Sequence, residues 1–151
     1  MKLAEALILR ADLQKHIAQL KERLRINAKV QENDMPAEDP QALLEELSDD
    51  INQFEELIRR INHTNCTIED ADGLSLTDKL AHRDALALHL SALRDFCSVA
   101  SQKVDRYANT EIRILSTVSV SDLQKQIDAM SKELRLLDTQ IQGLNWTCDL
   151  L

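Results

Sequence analysis

The sequence predicts a mainly α-helical protein: long antiparallel helices forming a four-helix bundle or a coiled-coil-like assembly, with a small β-hairpin or three-stranded sheet at one end. Three observations lead there. Aromatic residues make up 3% of the chain while Leu, Ile and Ala dominate its apolar share, a composition suited to helix–helix packing. Apolar side chains recur in alternating steps of four and three through most of the 151 residues, the spacing that keeps one stripe facing a neighbouring helix. Two segments depart from that rhythm and alternate with period two, as a half-buried strand does.

The elements follow in chain order as one domain over residues 1–151, opening with a helical hairpin over residues 2–62. Its first helix runs into the low thirties with Leu13, Ile17, Leu20 and Leu24 as its stripe. The run "ENDMPAEDP" then breaks the pattern, and Asp39 and Pro40 supply an N-cap and a first helical residue whose missing N–H costs nothing. The second helix carries Leu44, Leu47, Ile51, Phe54, Ile58 and Ile61 on one face. Residues 1 to 29 hold seven Lys/Arg against three Asp/Glu, whereas residues 30 to 58 hold ten Asp/Glu and no Lys/Arg. An antiparallel pairing therefore sets Lys21, Arg23 and Arg25 beside Glu45, Glu46 and Asp49, which selects partners more than it stabilises them.

Between helices two and three, "NHTNCTIEDADGLSLTD" alternates Cys66 and Ile68 with polar neighbours, turns at "DADG", and resumes with Leu74 and Leu76. This predicts a β-hairpin over residues 65–76, with Gly73 supplying the positive φ of its turn. A helix over 77–108 follows, with Leu86, Leu90, Leu93, Cys97, Ala100, Val104 and Tyr107 in register. "TEIRILSTVSV" alternates again and predicts a strand over 111–118, a third member for the hairpin. The last helix, over 120–145, repeats the stripe as Leu123, Ile127, Met130, Leu134, Leu137, Ile141 and Leu144. Trp146 offers a large apolar anchor for the closing tail in a groove of the bundle or of another subunit.

Charge and composition exclude several functions. A net charge of −8 opposes attraction to phosphates, so nucleic acid is not an expected partner. No apolar run approaches the length of a membrane span, which makes a membrane partner unlikely and points to a cytoplasmic protein. Three cysteines without metal-ligand spacing fit a reducing compartment. Long narrow helices bury little by themselves, and a homo-oligomer is the expected partner state. With two glycines there is scarcely material for a phosphate cradle, and no cofactor is expected.

Several chemical readings can be weighed from residue spacing. Asp12 with His16, and Asp78 with His82, stand one turn apart, but without Glu-x-x-His they do not make the di-metal pattern of helical bundles, so no metal is expected. His63 and Cys66 could meet as base and thiol but lack a third, orienting residue. A composite polar cluster is the main candidate ligand site: Asn62, Thr64 and Asn65 after helix two, Asp72 in the turn, and Asp105, Arg106, Tyr107 and Glu111 after helix three. The same groups, acting as caps for helix carbonyls, describe a structural junction instead.

The stretches "MKLAEALILRADLQKHIAQLKERL", "RINHTN", "DGLSLTDKLAHRDAL", "DRYANTEIR" and "NWTCDLL" together resemble the septicolysin-like family of small bacterial proteins, whose function is not established. That family's name implies a pore-forming cytolysin. The residues themselves point first to a helical, oligomerising structural or interaction module. A small-ligand binder or enzyme with a polar site at the helix–sheet junction is the second reading, and the cytolysin is the third.

Overall fold

The computed structural model describes residues 1–102 and 114–151. They form four helices: α1 (Leu3–Ile26), α2 (Pro40–Thr67), α3 (Leu76–Ser101) and α4 (Val120–Thr147). The chain divides into two compact units, one of Met1–Leu76 with Gly143–Leu151 and one of Thr77–Gln142.

Local chemistry sets the helix ends. At the start of α1 the Glu5 carboxylate accepts the Lys2 N–H at 2.7 Å. The helix stops at Ile26, short of the low thirties, because Asn27 caps it. The Asn27 N–H and Nδ2 both donate to the Arg23 carbonyl, at 3.1 and 2.9 Å, and its Oδ1 accepts the Glu38 N–H at 3.0 Å. One buried amide thereby ends α1 and fixes the returning loop. Asp39 caps α2 by accepting the Gln41 N–H at 3.0 Å, with Pro40 at the first helical position, as the sequence predicts. Ser119 does the same for α4, accepting the Asp122 N–H at 3.3 Å.

The expected β-hairpin over 65–76 and strand over 111–118 are not formed: among the described residues there is no strand or sheet. Helix α2 continues through Asn62–Thr67, so only Ile68 to Ser75 remain before α3. That span has room for a turn and one isolated bridge, Glu69 to Ser75, closed by Asp70 N–H to the Leu74 carbonyl at 3.0 Å and Leu76 N–H to the Ile68 carbonyl at 3.2 Å. Gly73 does take the positive φ of that turn, at 72°. In the second segment Ile114 and Leu115 are exposed and residues 114–119 make no bridge, so their alternation buries nothing; residues 111–113 lie outside the described residues.

In the first unit α1 and α2 run antiparallel, with His16 facing Asp50 and Arg23 facing Glu38 and Glu46. The buried face of α2 is rotated from the expected one. Of the expected stripe Ile61 is buried and Leu47, Phe54 and Ile58 are half-buried, but Leu44 and Ile51 are 47% and 46% exposed, and Leu43, Asp50, Leu57 and Thr64 are buried instead. The second unit follows its stripes closely. Leu90 and Cys97 of α3 pack with Leu123 and Ile127 of α4, flanked by Leu93, Val120, Met130 and Leu134. Cys97 lies near Gln124 and Arg94 near Ser131, so this pair is antiparallel as well. Val104 and Tyr107 fall outside the described residues.

The rotated face of α2 gives a direct test. Leu57→Ala removes buried side-chain volume and should cost about 2–5 kcal/mol in denaturant unfolding. Leu44→Ala, the same chemical change on the exposed side, should stay within about 0.5 kcal/mol.

Candidate functional site

Of the residues predicted as a polar cluster, the structure places three near the end of α2. Asn62 is exposed, Asn65 is half-buried, and Thr64 between them is fully buried. Asp72 is exposed in the turn before α3. Asp105, Arg106, Tyr107 and Glu111 lie outside the described residues. Thr64 is drawn into a different constellation, formed with the chain's last residues.

That constellation is a clasp between α2, the start of α1 and the tail after α4. The Thr64 hydroxyl donates to the Arg60 carbonyl at 2.8 Å and accepts the Leu151 N–H at 3.0 Å. Arg60 Nε donates to the Leu151 carbonyl oxygen at 2.9 Å. On the other side Leu3 N–H meets the Cys148 carbonyl at 3.0 Å, and Leu150 N–H meets the Met1 carbonyl at 2.9 Å. Lys2 Nζ donates to the Thr147 carbonyl at 2.9 Å and lies 3.0 Å from Asp149, a cation at the negative end of α4. Leu150, at 7% exposure, is the anchor of this tail; Trp146, the expected one, is 57% exposed. Because these bonds satisfy backbone groups at helix ends, the arrangement is a structural junction. Its signal in the sequence is the Arg60-to-Asn65 stretch and the closing "NWTCDLL", but nothing in either names the other as its partner.

A second group lines the α1–α2 seam. His16 Nδ1 lies 2.5 Å from Asp50 Oδ2, and His16 Nε2 lies 3.5 Å from Glu46. Arg23 donates from Nε and Nη2 to Glu38 and approaches Glu46 at 3.8 Å. The Arg23 guanidinium holds the Glu38 carboxyl below the usual carboxylate value, mainly through these hydrogen bonds. Both nitrogens of His16 face carboxylates, which leaves the ring no open nitrogen for a substrate proton or a metal. The expected pairing of helix charges is thus partly realised: Arg23 reaches Glu46, while Arg25 turns back to Glu22 within α1.

In the second unit a groove of about 470 Å³ follows the α3–α4 seam, lined by Leu90, Arg94, Ser131, Leu134 and Arg135 among others. Arg94 donates to Ser131 Oγ at 3.0 Å, and Ser131 in turn donates to the Ile127 carbonyl at 2.6 Å. The groove is open and its polar groups are spread along it rather than converging on one point. His82 sits on this hairpin 3.7 Å from Glu133, an exposed pair across the two helices. Among the described residues no three His, Cys, Asp or Glu side chains are placed to hold a metal ion.

One feature of α3 escaped the single-stripe reading. Ala81, Ala85, Leu88, Ala92, Phe96 and Val99 form a second apolar stripe on the side away from α4, and every one of them is exposed. Leu88 is 75% exposed and Val99 67%. The signal was present as spacing, since two interleaved helical stripes fit the same residues.

Residues 10–150 match a family of unknown function, DUF6847. A solved structure, described as a functionally unknown conserved protein from Corynebacterium diphtheriae, is 39% identical. It superposes with a TM-score of 0.88 over 100% of this chain and 99% of that one. No curated protein matches the chain.

Two predictions follow from the clasp and the seam. Thr64→Val keeps the side-chain volume and removes both hydroxyl bonds, leaving the Leu151 N–H without its acceptor; it should cost about 1–3 kcal/mol in denaturant unfolding. Glu38 has a lowered folded pKa, so its contribution is present above the unfolded carboxyl value and is lost as pH falls through the folded one. The stability gap between wild type and Glu38→Gln should therefore shrink on acidification, as read by urea midpoints across an acid pH series.

Proposed function

We propose that this chain, which belongs to the DUF6847 family of unknown function, is a self-associating helical module with a structural role in the cytoplasm. The observation that carries this reading is the double face of α3. One stripe is spent inside the hairpin with α4, and the other, with Leu88, Phe96 and Val99 as its large members, remains exposed. A helix apolar on two sides fits a position between two neighbours, and the described residues supply one of them.

Other features support the same reading. Three of the buried polar groups, Thr64, Asn27 and Asp50, are engaged in ending helices or joining them. Among the described residues no helix is long and apolar enough to cross a membrane. Cys66, Cys97 and Cys148 are not joined in a disulfide, in keeping with a reducing compartment.

The test is the mass in solution. Light scattering on the eluting protein should give more than the 17.2 kDa of one chain, and Leu88→Asp should return it to that value with the helical circular dichroism retained. A wild-type mass of 17.2 kDa over a wide concentration range would remove the proposal. Leu90 and Leu134 are not suitable probes, because both lie in the core between α3 and α4 and their loss would report folding.

A further inference from the structure

The part of the exposed stripe of α3 from Ala85 to Val99 has an internal symmetry. Ala85, Leu88, Ala92, Phe96 and Val99 are spaced three, four, four and three residues apart, so the pattern of positions is the same in both chain directions about Ala92. Their sizes complement one another under that reversal: small Ala85 maps onto Val99, Leu88 onto Phe96, and Ala92 onto itself. A two-fold interface requires such self-complementarity, since each contact from one copy to the other is repeated in reverse. A stripe meant for an unrelated helix has no need of it.

We infer that α3 pairs with α3 of a second copy of this chain, antiparallel, with Ala92 of both copies at the two-fold axis. This deepens the assembly reading and rests on it. In that register the layers alternate in bulk. Leu88 lies level with Phe96 of the partner subunit, Ala85 with Val99 of the partner subunit, and the small Ala92 pair lets the backbones approach at the centre. The paired span from Ala85 to Val99 is roughly 21 Å long at 1.5 Å per residue, about four turns of continuous contact. Two acids border it, Asp84 and Asp95. The register sets them level with Ala100 of the partner subunit and His89 of the partner subunit, so neither is forced against another acid. Every residue of the stripe is exposed, so the pairing needs no rearrangement of the hairpin beneath it.

The two-fold axis makes the test specific. In the full chain with Cys66 and Cys148 replaced by Ser, and Cys97 left buried in the hairpin, Ala92→Cys should form a covalent dimer on mild oxidation. Leu88→Cys alone should not, because two copies of position 88 stand about 12 Å apart along the axis, beyond disulfide reach. Leu88→Cys mixed with Phe96→Cys should cross-link in the mixture only. Each variant is first weighed by light scattering. A reduced protein that is oligomeric, yet cross-links through Leu88→Cys alone and not through Ala92→Cys, would overturn the antiparallel register while leaving self-association standing. An oligomer that cross-links through none of these positions would move the interface off α3. A reduced protein of single-chain mass would overturn the assembly reading itself.

Discussion

The seam between paired helices governs this molecule, because a helical hairpin has one line along which to bury apolar side chains and little beyond it. In α3 and α4 that line is Leu90, Cys97, Leu123 and Ile127 with their half-buried neighbours. In α1 and α2 it is mixed, with Leu20, Leu43, Leu57 and Ile61 buried alongside Asp50 and Asn27. A buried carboxylate in so narrow a seam is tolerable only with a partner, and His16 supplies it at 2.5 Å. The Asn27 and Asp39 caps, the tail clasp and the pairing of Arg23 with Glu38 all serve to hold helices in register along these lines.

Much of this could be read from the residues, and the places where reading failed share a cause. The stripes between α3 and α4 were legible because the positions that pack there, Leu90, Cys97, Leu123 and Ile127, are all apolar and recur at heptad spacing. In α2 two phases compete. One is apolar throughout, through Leu44, Ile51 and Ile58; the other runs through Leu43, Asp50 and Leu57. The second is the buried one, and the partner that makes Asp50 acceptable lies 34 residues away, out of sight of local periodicity. The β-hairpin failed for a similar reason. Cys66 and Ile68 alternate like a strand, but Thr64 is held by the tail, so α2 keeps its helix through Thr67 and consumes the residues a strand would need. Thr64, one of the polar residues that the sequence sets apart, lies in the junction with the tail.

Thr64 near the end of α2 serves as a fastener, the seam histidine has both nitrogens facing carboxylates, and the α3–α4 groove spreads its polar groups instead of focusing them. Among the exposed apolar side chains are Leu88, Ala92, Phe96 and Val99, on a helix already packed on its other side. The net charge of −8 sets a general repulsion between copies against such exposed apolar side chains.

The clasp has a consequence for the order in which the chain becomes native. The bond from Lys2 to the Thr147 carbonyl spans 145 residues, whereas each hairpin closes through contacts a few tens of residues apart. Loop-closure entropy and contact order put short-range hairpins early and a contact between near-opposite ends of the chain late. On that ordering the clasp is the last joint to form. A transiently unclasped chain keeps both helical hairpins while freeing the Leu3–Cys148 and Met1–Leu150 backbone pairs. Protection of those amides against hydrogen exchange is thereby decoupled from protection of the helix interiors.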